Sequence, residues 1–134
     1  MKENKKEGVL KMLSNPYQKY QQNQVETASQ EKLLLMLYDG ALKSIGNAKE
    51  AIDENSMEKA HNEILKTQGM FSELKMSLDL GRGNIAYNLY SLYDFILVRL
   101  IEANTKKDKN ILNEVEKLTR ELRTAWQQAV SKNC

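Results

Sequence analysis

Apolar residues recur every three or four positions in four successive stretches of the chain, all after residue 28. This spacing is typical of one face of an α-helix, and no stretch alternates apolar and polar residues as a β-strand does. The apolar seams begin at Leu34, Ala60, Ile85 and Ile111. Each stretch of about 20 to 25 residues predicts a helix of about 30 to 37 Å. We therefore predict an all-α fold.

Residues that favour helix ends separate the four stretches. In chain order they are Thr27 or Ser29, Asn55, Ser56, the LGRGN turn at 80–84, and Asp108. Short links between helices of matched length make consecutive helices antiparallel. The pattern predicts an antiparallel up-down-up-down four-helix bundle over residues 29–130, followed by a C-terminal tail at 131–134.

Residues 1–28 are polar, rich in Lys, Gln and Asn, and without helical periodicity. They contain the only proline, Pro16, in a sequence that favours a turn or extended chain. We predict a flexible and partly disordered N-terminal arm. Tyr17 and Tyr20 are aromatic residues in this otherwise polar segment. We interpret them as a flap over an apolar surface.

Charge and composition exclude several classes of function. The four lysines and two glutamates of the first 13 residues account for the whole net charge of +2, so the predicted bundle has no basic excess for nucleic acid. No run of about 18 apolar residues is present to span a membrane. The basic start has too short an apolar part for a signal peptide. Together with a single cysteine, Cys134, this predicts a cytoplasmic protein.

The sequence offers no set of catalytic or metal-binding residues. Glu58 and His61 match half of a di-iron motif, but His61 is the only histidine, and a complete site needs a second such pair. The glycine-rich LGRG segment follows a predicted helix, whereas a phosphate-binding loop follows a strand. We predict a protein that is not an enzyme and binds neither cofactor nor metal.

The third stretch carries more apolar residues than one core-facing seam requires. Its seam comprises Ile85, Leu89, Leu92, Ile96 and Ala103. A second set lies about 80° to 160° away around the helix axis. That set comprises Ala86, Tyr90, Tyr93, Leu97 and Ile101, with Tyr87 beside it.

The first two stretches show the same surplus. Leu33 and Leu37 belong to an almost continuous apolar run, and Leu65 lies off the second seam. Glycines inside helices cost about 1 kcal/mol relative to alanine, so Gly46 and Gly69 suggest close approach of another backbone. The surplus predicts a second apolar face that binds an amphipathic partner segment. The alternative is that these residues only fill the corners of the bundle.

Several ordered motifs cover about residues 15–130. They are NPY-x-x-YQ at 15–21, VETAS at 25–29, LLLMLYDGA at 33–41, NLY-x-LYD at 88–94, RLIEAN at 99–104, and Trp126. Together these motifs resemble the FliS family of flagellar secretion chaperones. Two positions depart from the family pattern: Gln30 stands where a proline is usual, and Val98 stands where the first of two arginines is usual.

The resemblance implies a cytoplasmic chaperone that binds the disordered C-terminal segment of flagellin in an apolar groove. Such a chaperone prevents premature polymerisation and hands flagellin to a component of the flagellar export gate. The resemblance is also compatible with other flagellar regulators or co-chaperones as partners. The resemblance places Tyr17, Tyr20 and Gln21 in the flap.

The groove residues fall into two groups. Motif and spacing together indicate Tyr38, Tyr90, Tyr93 and Ile101. Spacing alone indicates Leu33, Leu37, Leu65, Gly69, Tyr87 and Leu97. The competing hypothesis is a structural or self-associating module in which the second apolar face forms a homodimer interface. For the chaperone we expect a monomer or a weak homodimer.

Overall fold

The computed structural model describes residues 30–132, which form four long α-helices. These are α1 (Gln30–Asp53), α2 (Met57–Met76), α3 (Asn84–Lys106) and α4 (Lys109–Lys132), with a 3-10 turn at Leu80–Arg82. No strand occurs in this described range, so the predicted all-α class is confirmed. The predicted arm at 1–28, the Thr27 and Ser29 caps, and Cys134 lie outside the described residues.

Residues between the helices mark several of the points where helices end and begin. Asn55 adopts φ 59°, a left-handed conformation that asparagine tolerates, and so ends the first helical segment. Gly83, with φ 102°, lies between the 3-10 turn and α3. Asp108 accepts a hydrogen bond from the Asn110 N–H through Oδ1 at 2.8 Å, which caps the first turn of α4 as the sequence predicts.

The helices form a closed ring in which each packs against two neighbours. Helix α1 packs against α2 and α4, and α3 packs against the same two helices. Lys109 at the start of α4 donates to Asp53 at the end of α1 at 2.8 Å. At the other end, Trp126 Nε1 donates to the Glu31 carbonyl at 3.0 Å. The two contacts establish that α1 and α4 are antiparallel.

The core lies along the bundle axis and contains mostly aliphatic side chains with one phenylalanine. Its fully buried members include Ile45, Ile64, Phe71, Leu74, Ile96, Leu100, Leu112 and Val115. Two threonines are also fully buried, and each donates its hydroxyl to a backbone carbonyl of its own helix. Among residues 30–132, no buried side-chain nitrogen or oxygen lacks a hydrogen-bond partner, so unsatisfied polar groups do not offset the burial of apolar area.

The predicted seam of α3 is wrong in its angular position. Ile85 is 75% exposed, whereas Tyr93, assigned to the second set, is 3% exposed. The buried arc of α3 contains Ala86, Tyr93, Ile96, Leu100 and Ala103. It lies between the two predicted stripes, because the neighbouring helices α2 and α4 cover the arc where the stripes meet.

Gly46 does not serve close helix packing inside the bundle, and its predicted part in the approach of a partner backbone stays a prediction. A Cβ atom built on Gly46 meets nothing within 4 Å. The close approach occurs instead at Gly40, where a Cβ would lie 3.1 Å from Met70 Cε on α2. Gly40 therefore lets α1 and α2 pack closely.

Candidate partner-binding face

Two polar contacts fix the register between α2 and α3. Lys75 Nζ lies 2.5 Å from Asp94 Oδ1, and Asn104 Nδ2 lies 2.9 Å from His61 Nδ1. The end of α2 thus meets the first half of α3, and the start of α2 meets the end of α3. The two helices are antiparallel.

Helices α1 and α2 are antiparallel as well, because Asn47 donates to Glu63 at 3.2 Å while Gly40, earlier in α1, faces Met70, later in α2. These directions confirm the predicted up-down-up-down arrangement.

Large exposed apolar residues cluster where α2 and α3 run side by side. On α3, Tyr87, Val98 and Ile101 are 57%, 61% and 58% exposed. All three lie within about 40° of Asp94 around the helix axis, and Asp94 contacts α2 through Lys75. These residues therefore border α2.

Helix α2 contributes two exposed apolar residues to the same surface. Leu65 is 46% exposed and Met76 is 61% exposed. The register places Leu65 at the level of Ile101 and Met76 at the level of Tyr90. The α2–α3 face is defined here as Leu65, Gly69, Lys75, Met76, Tyr87, Tyr90, Asp94, Leu97, Val98 and Ile101.

This face can bury apolar area against a partner. Leu97 is half-buried and packs against the core, so it forms the floor between the more exposed side chains. A fully buried Leu-sized or Ile-sized side chain contributes about 1.5–3 kcal/mol. Exposed apolar residues grouped in this way, rather than scattered singly, are typical of an interaction surface.

One aromatic residue on the face is held by a cation. Lys75 Nζ lies 4.9 Å from the centre of the Tyr90 ring while it contacts Asp94. The hydrogen bond to Asp94 and the nearby negative charge raise the pKa of Lys75 above its ordinary value. Lys75 thus stays charged and restricts the orientation of the Tyr90 ring.

Two other tyrosines of the predicted groove lie in the core. Tyr38 on α1 and Tyr93 on α3 are each 3% exposed, and their hydroxyls hydrogen-bond each other. The Tyr93 ring also packs against Phe71 at 5.9 Å between ring centres. Burial raises the pKa of both tyrosines. The pair braces α1 against α3 inside the bundle.

Comparison with known proteins shows the family of the chain. The chain matches the family model of the flagellar protein FliS over residues 13–133. The chain belongs to the FliS family. It is 39% identical over 118 residues to the flagellar secretion chaperone FliS of Bacillus subtilis, covering 88% of each chain. It is 34% identical to FliSB of Pseudomonas aeruginosa over 77% of this chain and 82% of that one.

A less similar relative is also a flagellar secretion chaperone. The flagellar secretion chaperone FliS of Escherichia coli is 31% identical over 108 residues, which is 79% of each chain. The resemblance inferred from the motifs is therefore confirmed, and membership of the FliS family supports a role as a flagellar export chaperone.

The predicted partner-binding residues of this FliS-family chain divide by exposure. Those on the α2–α3 face are Leu65, Gly69, Tyr87, Tyr90, Leu97 and Ile101. Those buried in the bundle, and so not presented by the described surface, are Leu33, Leu37, Tyr38 and Tyr93. Those outside the described residues are Tyr17, Tyr20 and Gln21.

The predicted partner-binding residues omit four members of the face, namely Lys75, Met76, Asp94 and Val98. Val98 follows Asp94 by four residues and precedes Ile101 by three, so helical spacing would have included it. Lys75 and Asp94 had no such signal, because their contact joins two helices across 19 positions.

Two further observations concern the described range only. Residues 30–132 bring no three His, Cys, Asp or Glu side chains together in a way that could hold a metal ion. Within the same range, every helix falls short of the length and apolar character needed to cross a membrane.

Proposed function

We propose that this chain is a cytoplasmic chaperone that binds the C-terminal segment of flagellin on the α2–α3 face. Binding keeps flagellin from polymerising early, and the chaperone then hands it to the flagellar export apparatus. The observation that carries the proposal is the row of exposed apolar side chains on α2 and α3. Membership of the FliS family supports a flagellar protein as the cargo.

The energetics suit an amphipathic segment that folds on binding. Ordering such a segment costs about 2–5 kcal/mol or more, and each buried Leu-sized anchor returns about 1.5–3 kcal/mol. The five large exposed residues Leu65, Met76, Tyr87, Val98 and Ile101 offer several contact points. Because the contacts are spread along two helices, a gate component can release the segment stepwise without a nucleotide.

The N-terminal arm is the second part of the proposal. We propose that Tyr17, Tyr20 and Gln21, which lie outside the described residues, cover part of the apolar surface in the absence of flagellin and leave it when flagellin binds. The arm joins the bundle at the start of α1, a turn held to α4 by the hydrogen bond from Trp126 to Glu31. We also propose that an export gate component and further flagellar regulators or co-chaperones bind the complex.

The test is calorimetric titration of a flagellin C-terminal segment into the full chain and three variants. Ile101→Ala and Tyr90→Ala are expected to weaken binding at least tenfold, because each removes an anchor on the face. Phe95→Ala is the matched control, since Phe95 is 46% exposed but lies about 100° from Asp94 around α3. Wild-type affinity in both face variants would contradict the location of the site.

The homodimer hypothesis uses the same apolar residues. Sedimentation velocity distinguishes it from the chaperone proposal. A flagellin chaperone is expected to form a one-to-one complex with the segment, and any weak dimer should dissociate as the segment is added. A dimer that persists at saturating flagellin would favour a self-associating module instead.

A further inference from the structure

A single ion pair interrupts the apolar α2–α3 face. Asp94 lies at the middle of the row on α3: Tyr90 and Tyr87 precede it by one and two helical turns, and Val98 and Ile101 follow it by one and two. Lys75 on α2 contacts it at 2.5 Å. Any segment that covers both ends of the row must therefore pass over Asp94.

The two members of the ion pair are not equally accessible. The Lys75 side chain is 27% exposed and is occupied by Asp94 and the Tyr90 ring. The Asp94 side chain is 50% exposed. Its Oδ1 accepts from Lys75, and its Oδ2 has no hydrogen-bond donor among residues 30–132. The accessible end of the pair is thus a hydrogen-bond acceptor.

Folding stability does not account for the pair. Partly exposed ion pairs contribute little to stability, because water and salt screen them. A partner that covers Asp94 takes water away from a carboxylate oxygen, and this is costly unless the partner supplies a donor. The cost falls only on partners that lack one.

We propose that Asp94 determines specificity by accepting a hydrogen bond from a side-chain N–H of the bound segment. This inference rests on the proposed function, since the segment is the C-terminal part of flagellin. The apolar residues alone distinguish amphipathic segments weakly, because they share the same helical spacing. A covered carboxylate discriminates more strongly, because an unpaired buried polar group disfavours the wrong partner.

Titration calorimetry of a flagellin C-terminal segment into four proteins tests the inference: the wild type, Asp94→Ala, Asp94→Asn and the control Asp53→Asn. Asp94→Ala is expected to weaken binding at least tenfold, and Asp94→Asn by less, because its amide oxygen still accepts. Asp53→Asn changes an aspartate that also pairs with a lysine, on the α1–α4 side, and should bind as the wild type does.

A second set of titrations identifies the donor. Each Asn, Gln, Lys and Arg of the segment is replaced singly by alanine and titrated into the wild type and into Asp94→Ala. One replacement is expected to weaken binding to the wild type at least tenfold and to have little effect on binding to Asp94→Ala. If every replacement weakens binding to the wild type and to Asp94→Ala by the same factor, the inference is overturned.

The outcomes separate this inference from the proposed function. If Asp94→Ala binds as tightly as the wild type while Tyr90→Ala binds more weakly, the role of Asp94 is wrong and the docking face stands. If the wild type does not bind the segment, both proposals fail. Thermal unfolding checks that each variant folds. If Asp94→Ala does not fold, the near-isosteric Asp94→Asn provides the test.

Discussion

Replacing Tyr93 by phenylalanine removes one of two hydroxyls that meet inside the bundle. Tyr38 and Tyr93 lie on opposite helices of the ring, are each 3% exposed, and hydrogen-bond each other. In the Tyr93→Phe variant, the Tyr38 hydroxyl stays buried and loses this partner. The same holds for Tyr93 in Tyr38→Phe.

The expected cost follows from that loss. A buried polar group left without a partner destabilises a protein by about 1–3 kcal/mol, whereas removing both partners can be nearly neutral. Each single variant should therefore lose about 1–3 kcal/mol, and the double variant should lose less than either. For a domain of roughly 100 residues, each 1 kcal/mol lowers the melting temperature by about 4–8 °C.

Urea unfolding followed by circular dichroism measures all four proteins of this double-mutant cycle. A strong favourable coupling between Tyr38 and Tyr93 is expected. Tyr87→Phe is the control, because Tyr87 is 57% exposed and its hydroxyl can bond to water. The buried hydroxyl pair would be refuted if the single variants were as stable as the wild type. It would also be refuted if the double variant lost as much free energy of unfolding as the two single variants together.

Three further predictions concern stability. Burial raises the pKa of Tyr38 and Tyr93 above 10.0. As the pH rises through about 10, the unfolded chain releases these protons first, so the wild type should lose up to about 1.4 kcal/mol per buried tyrosine between pH 9 and pH 11 relative to the double phenylalanine variant, as measured in melts. Gly46→Ala should raise the free energy of unfolding by up to about 1 kcal/mol, since its Cβ meets nothing within 4 Å, and a loss would contradict this. Phe71→Ala should cost about 3–5 kcal/mol in urea unfolding, because Phe71 is fully buried, and a cost under about 1 kcal/mol would be inconsistent with a packed core.

The helices and their order could be predicted because their signals are local. Asn55 and Asp108 mark helix ends through their own backbone and side-chain geometry, which needs no distant residue. The family resemblance was also carried by short motifs. The angular position of the α3 core could not be fixed in this way, since periodicity gives the apolar arcs of a helix but not which arc its neighbours cover.

The candidate site was predicted in part for the same reason. Tyr87 and Ile101 were correctly expected to lie outside the core. Tyr38 and Tyr93 were expected in the partner-binding groove, because both belong to the family motifs and lie off or beside the predicted seams. Here each hydroxyl satisfies the other across 55 positions of sequence. No pattern along the chain predicts a contact between two such distant residues.

The exposure of α3 bears on why its surplus apolar residues are present. Corner residues of a bundle should be half-buried against a neighbouring helix, as Leu97 is. Val98 and Ile101 are instead 61% and 58% exposed, so packing within the bundle leaves most of their apolar area in water. Folding therefore gains little from them, and covering them with a partner gains more. Ile96 and Leu100, fully buried on the opposite side of α3, hold the helix in the bundle. Because binding and stability depend on different sides of one helix, changes on the α2–α3 face can alter partner affinity while the bundle remains folded.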